Sequence, residues 1–161
     1  MPDSTAIQFR FRPMRLRDAL AASRWRYPAE YAIYDLDWAE LVFTAIFRAP
    51  LRAFGVYPLA VGTPDDPFVG VFSFVQRGDD VELGVGMRPD LMGRGLGLEL
   101  MLQAMDYARE RLRPVTFSLN VATFNRRAIT VYERAGFQPG PTRPTIVHGK
   151  RIESMRMTRP A

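Results

Sequence analysis

Between Val81 and Gly97 the chain reads VELGVGMRPDLMGRGLG: a β-rich run, a proline turn, and glycines at alternate positions opening a helical pattern. Few features restrict a fold more. Glycine lets a backbone approach a ligand closely, and the start of a helix offers N–H groups that lack intrahelical partners. Together they form a seat for an anion, phosphate above all. The spacing excludes two kinds of phosphate binder. A Walker loop carries Lys and then Ser or Thr after its last glycine, whereas Gly97 is followed by Leu98 and Glu99. A dinucleotide fingerprint begun at Gly93 needs glycine at position 98. A helix start with flexible glycines and no ligand would read the same way.

The flanking sequence predicts an α/β chain of the α+β kind. Gln8 to Arg12 alternates polar and apolar residues, so it reads as a strand with one buried face, closed by Pro13. Arg17 to Trp25 has helix formers bounded by Pro28. Tyr27 to Trp38 is aromatic, and Asp37 can cap a second helix from Ala39 to about Phe47, with Pro50 ending it. Phe54–Val61, Phe68–Gln76 and Val81–Met87 read as three strands, the last two joined by a turn at Arg77-Gly78-Asp79-Asp80. After the glycines, Met101, Ala104, Met105, Ala108 and Leu112 share one helix face, and Pro114 stops that helix. Val115–Val121 is a further strand. Asn125–Ala135 is a helix ending at a cap glycine, Gly136. Prolines 139, 141 and 144 precede a last strand near Arg151–Met157. The order is β-α-α-β-β-β-α-β-α-β-β, with a parallel crossover through the long helix. No repeat or linker divides residues 1–161, so one domain is expected.

Composition removes several chemistries. The absence of cysteine excludes thiolate nucleophiles, disulfides and cysteine-ligated zinc, and a single histidine, His148 beside Gly149 in an expected turn, cannot build a histidine metal cluster. No GxSxG elbow accompanies it. No apolar run reaches the ~18–20 residues that span a bilayer, and the N-terminal residues lack a secretory pattern, so a cytoplasmic protein without membrane association is expected. A net charge of +5 favours anionic ligands, but the arginines are scattered and no basic recognition helix appears, so nucleic acid is not expected.

Two motifs in register give the chain a family resemblance. Met92-Gly93-Arg94-Gly95-Leu96-Gly97 resembles the coenzyme A pyrophosphate loop of the GCN5-related N-acetyltransferase (GNAT) superfamily, with methionine in place of its usual Gln or Arg. One helix and one strand later, Asn125-Arg126-Arg127-Ala128-Ile129-Thr130-Val131-Tyr132-Glu133-Arg134-Ala135-Gly136-Phe137 is similar to the superfamily's N-x-x-A-x-x-x-Y-x-x-x-G-F signature. Gly86 to Leu91, with Trp25, Tyr27, Tyr31 and Tyr34-Asp35, resembles a bacterial subgroup. The resemblance implies a mixed, mostly antiparallel sheet of about seven strands, splayed in its middle and flanked by about four helices. It implies acetyl-CoA as co-substrate, no metal, and an amine acceptor attacked in a ternary complex by a monomer or homodimer. The acceptor stays open between a protein N-terminus and a small-molecule amine. A non-catalytic acyl-CoA sensor is the alternative.

Residue roles follow from the same resemblance. Val85, Gly86 and Met87 would pair with pantetheine, and a Met87 N–H would stabilise the oxyanion. Gly93, Arg94, Gly95, Leu96 and Gly97 would hold the diphosphate, and Arg127 would reach the 3′-phosphate. Asn125 would bond the coenzyme, or cap its helix, or both. Tyr132 would protonate the departing thiolate, and Glu82 would take the amine's proton, with Asp80 and Asp35 as weaker candidates. Tyr31, Tyr34 and Asp35 would contact the acceptor, and Glu30 or Asp37 would attract its ammonium. Gly84 and Gly86 within a strand allow either a ligand or a sheet-bending bulge. Trp25 and Trp38 are expected in the core.

Overall fold

Alternation at Phe9–Arg12 becomes strand β1, Arg10–Pro13, with Phe9 buried and Phe11 packed against the core. The computed structural model describes residues 7–37, 40 and 48–161. Helix α1, Leu16–Ala22, ends earlier than its sequence pattern, because Arg24 and Trp25 donate to the carbonyls of Ala21 and Ala22 and tighten the last turn. Trp25 stacks on Phe68 with ring centroids 5.1 Å apart, as a core residue. A 3-10 turn covers Ala29–Tyr34. Apart from Glu40, which is helical, the helix expected from Ala39 to Phe47, and Trp38, lie outside the described residues. Helix α2, Arg48–Ala53, includes Pro50 instead of ending before it, since the φ to which proline is locked is itself helical.

Strands β2 (Val56–Gly62), β3 (Gly70–Arg77) and β4 (Asp80–Met87) form an antiparallel meander. Phe54, expected at the start of β2, is instead exposed in the turn that leaves α2, where Gly55 has φ +75°. Helix α3, Gly97–Leu112, stops where Arg113 turns left-handed before Pro114. Strand β5 (Thr116–Ala122) precedes helix α4 (Arg126–Arg134), followed by β6 (Gln138–Val147) and β7 (Lys150–Pro160). His148 and Gly149, both at positive φ, join β6 to β7 in a two-residue turn.

The described residues form one sheet of seven strands, in the order β1-β2-β3-β4-β5-β7-β6. Among the described residues, only β4 and β5 pair in parallel. The main core lies on one face of it. There the stripe Leu100, Met101, Ala104, Met105 and Ala108 of α3 meets Phe72, Phe74 and Phe117 from the sheet, and Ile129 and Ala135 join from the α4 segment. Each large side chain buried this way contributes about 1.5–3 kcal/mol. A smaller cluster of Met14, Ala19, Ala22, Trp25 and Val71 ties α1 to the sheet. Among the described residues no helix is long and apolar enough to cross a membrane.

One buried charge locks α1 to β1. The Asp18 carboxylate is 3% exposed and accepts from Arg12 Nη1 and Nη2 at 2.5 and 2.8 Å, and from the Arg15 N–H at 2.8 Å. Burial works against the charge, but these hydrogen bonds outweigh it and hold the carboxyl below its ordinary range. A carboxyl depressed in the folded state stabilises the fold above the usual carboxylate range, and that contribution disappears as pH falls through the lower folded value. Asp18→Asn is therefore expected to cost about 1–3 kcal/mol at neutral pH. Urea titrations should show the gap from the unsubstituted protein closing below about pH 4.

Candidate active site

The glycine-bearing strand and the strand that follows the long helix begin as neighbours and then part. Asp80, Val81 and Glu82 pair with Thr116, Phe117 and Ser118, and there the pairing stops, although β4 runs on to Met87 and β5 to Ala122. On its other side β4 stays paired with β3 throughout. Arg88 N–H donates to the Val69 carbonyl at 2.9 Å. By antiparallel alternation, the backbone groups of Gly84 and Gly86 therefore point to β3, and those of Val85 and Met87 to the open side. The result is a wedge along which the open edge of β4 has no neighbouring strand paired to it.

The register of β3 with β4 is unbroken, so Gly84 and Gly86 do not form a bulge. They give clearance. A Cβ on Gly84 would lie 2.6 Å from Ser73 Oγ, and one on Gly86 would lie 3.0 Å from Val71 Cγ2 and 3.6 Å from Tyr27 Oη.

A cleft of about 450 Å³ opens along the wedge. Val85 and Met87 line it from β4, Gly93, Gly95, Leu96 and Gly97 from the loop and the start of α3, and Asn125, Arg127 and Tyr132 from the last helix. Met92 lines it too, in the position where its sequence motif departs from the usual pattern. Gly93 and Gly95 have φ of +76° and +77°, the left-handed region that glycine tolerates. A Cβ on Gly95 would meet no protein atom within 4 Å, whereas one on Gly93 would come 3.0 Å from Arg127 Nη2. The loop is thus an open cradle with a guanidinium over one end. These features fit a diphosphate. Arg94 is exposed and is not among the lining residues.

Asn125 is occupied twice. Its Oδ1 accepts from the Ala128 N–H at 3.2 Å, capping α4, and its Nδ2 donates to Tyr34 Oη at 3.2 Å. Tyr132 packs edge-on against Phe137 at 6.3 Å, and burial, with Tyr34 nearby, pushes its phenol well above the ordinary range. The Tyr34 phenol is also raised, by burial first, against the opposing effect of its bond to Asn125. Tyr31 lies in this cleft, its ring 5.9 Å from the Arg127 guanidinium carbon.

A second pocket, of about 330 Å³, lies across the strand. Gly84, Val85 and Gly86 contribute to it, and so do Tyr34, Asp35, Asp37, Glu40 and His148. Val85 lines both cavities, and Gly86 lines only this one. Asp35 Oδ1 accepts from the Tyr27 N–H at 2.8 Å. Glu82 lies at the apex of the wedge, outside both linings, with Oε2 3.4 Å from Arg156 Nη1. Arg156 Nη2 also reaches Asp80 at 3.1 Å, and Ser118 Oγ donates to the same carboxylate oxygen at 2.7 Å. Sequence reading missed Arg156 and the bonds of Tyr27 and Tyr34, because pairs so far apart in the chain leave no local pattern.

Known proteins share the fold. The family model of the acetyltransferase (GNAT) domain matches residues 8–138. Mycothiol acetyltransferase of Rhodococcus erythropolis is 47% identical over 65 residues, which make up 38% of this chain and 21% of that protein. This chain therefore spans only a minor part of that relative's length. A Vibrio cholerae spermidine N-acetyltransferase, solved with CoA and spermine, superposes with a TM-score of 0.78 at 16% identity, covering 95% of each chain. A chimeric form of the Vibrio cholerae enzyme superposes at 0.77 with 18% identity over 94% of each.

Proposed function

This chain belongs to the GNAT acetyltransferase family, and we propose that it moves an acetyl group from acetyl-CoA to a primary amine by direct attack in a ternary complex. The parting of β4 from β5 beyond Glu82 and Ser118, with the glycine loop lining the cleft between them, carries the reading. Bound acetyl-CoA would supply an acyl group already activated as a thioester.

The protein's own groups divide the remaining work. Val85 and Met87 offer backbone groups to an extended ligand arm, as an edge strand does. The amides of Gly93 to Gly97 and the Arg127 guanidinium offer a cationic seat for its diphosphate. The Met87 N–H stabilises negative charge on the acyl oxygen. Tyr132 holds a proton for the departing sulfur, and Glu82 accepts the amine's proton directly or through water, oriented by Arg156.

The second pocket is assigned to the acceptor. Asp35, Asp37 and Glu40 line it, so a small amine with further positive charge fits better than a neutral one. The spermine bound by the Vibrio cholerae neighbour supports that class. The enzyme would act in the cytoplasm, as one domain. Thiol release and product mass, measured with acetyl-CoA against polyamines, neutral monoamines and a peptide with a free α-amine, test the proposal. Acetylated polyamine is the expected product. Coenzyme binding without release from any amine would reduce the chain to a sensor.

A further inference from the structure

We infer that Tyr27 is a positioning residue for acyl transfer, its phenol pinning the end of β4 from which the acyl oxygen is held. The inference rests on the acetyl-transfer reading above. Tyr27 lies 60 residues from Met87 in sequence, yet its hydroxyl donates to the Met87 carbonyl at 2.8 Å. The other end of the same peptide unit, the Arg88 N–H, donates to Val69 at 2.9 Å. One peptide plane is thus fixed at both ends.

The location gives the bond its meaning. Met87 is the last residue of β4, and its carbonyl faces the side from which β5 has departed. Elsewhere in a sheet a neighbouring strand would hold that group; here a side chain does. The consequences are two. An extended ligand arm reading this edge finds the Met87 carbonyl already engaged, so Met87 offers its N–H and Val85 supplies the carbonyl. The backbone angles of Met87 are also restrained, and with them the direction of its N–H. A donor aimed in advance at developing charge contributes to catalysis without reorganising during reaction.

Tyr27 is itself held in place. Its N–H donates to Asp35 at 2.8 Å, and Asp35 lines the acceptor pocket, so one residue spans from the acceptor side to the coenzyme strand. Gly86 lies beneath the phenol: a Cβ there would touch the phenol oxygen at an ordinary 3.6 Å and would crowd Val71 at 3.0 Å. Burial first, and Asp35 second, push the phenol up to about 12, so it remains a donor across any assay range.

Tyr27→Phe keeps the ring and the Asp35 bond and removes only the hydroxyl. The expected result is a fall of roughly tenfold in kcat, with coenzyme affinity and acceptor KM within about twofold and Tm nearly unchanged. Hydrogen exchange should accelerate at the Met87 and Arg88 amides and not in α3. Unchanged kcat together with unchanged exchange would overturn the inference, and so would a loss of kcat matched by equal losses of coenzyme affinity and Tm. If the unsubstituted protein binds acetyl-CoA but acetylates no amine, the enzymatic reading falls, while the exchange comparison still decides whether Tyr27 pins the strand.

Discussion

Gly95→Val is expected to abolish coenzyme binding and to leave the fold standing. At φ +77° a valine is strained, but a Cβ at this position meets no protein atom within 4 Å. The cost to the fold is therefore backbone strain alone, about 1–2 kcal/mol. That amounts to a fall in Tm of roughly 2–8 °C for a chain of this size. The branched side chain would occupy the space at the cleft mouth where a diphosphate must contact the amides. A loss of more than about a hundredfold in affinity is expected, the equivalent of some 2.7 kcal/mol. Gly95 is the informative glycine of the three. A side chain at Gly93 would first displace Arg127, at 3.0 Å, and one at Gly97 would press on Val131, at 3.4 Å, so either would mix protein and ligand effects. Calorimetric titration with coenzyme A, beside a thermal melt, separates the terms. Affinity unchanged in a folded variant would show that the diphosphate is seated elsewhere.

What the sequence made legible was local. Two-residue turns at Gly78-Asp79 and His148-Gly149, the Asn125 cap, the Gly136 stop and the buried stripe of α3 are each set by residues within a few positions of one another. The wedge at the centre of the site was legible only through family resemblance. Nothing in the alternation of Asp80–Met87 or Thr116–Ala122 records that their pairing ends at Glu82 and Ser118, because divergence depends on the twist of the whole sheet. The sequence order ended in two strands but bounded only the last; the first of them is the ten-residue β6, which carries three prolines. It lies at the sheet's edge, where proline's missing donor leaves no ladder bond unmade, and its register shifts between Pro139 and Thr142. Gly84 and Gly86 were legible as unusual, but their reason, clearance for Ser73 and Val71, needs the neighbouring strand. Tyr31 was grouped with Tyr34 and Asp35 as an acceptor contact through the family resemblance. The 3-10 turn that carries both puts Tyr31 in the cleft along the wedge and Tyr34 in the pocket across the strand.

Tyr132→Phe is expected to slow turnover by about 30- to 100-fold while coenzyme affinity stays within about threefold. The phenol lines the cleft, and the ring's packing against Phe137 survives loss of the hydroxyl, so the substitution removes a proton and little else. Burial holds that proton, with Tyr34 adding to the effect, and raises the group far above the ordinary tyrosine range. The donor form is therefore populated throughout the neutral and mildly alkaline range, and the rate deficit should be the same factor at every assay pH. Its size is bounded by the leaving group. An alkyl thiol has a pKa near ~8.5 and departs tolerably well without help, which places the effect below the upper end of general-acid catalysis. An independent check comes from stability. A phenol raised in the folded state keeps its full contribution below the unfolded value near ~10, and loses it as pH rises and the unfolded chain ionises first. Tyr132→Phe lacks that loss, so alkaline denaturation should begin at higher pH in the variant. A later alkaline transition with an undiminished rate would confirm the phenol's burial and remove it from the transfer, leaving its ring as a wall of the cleft.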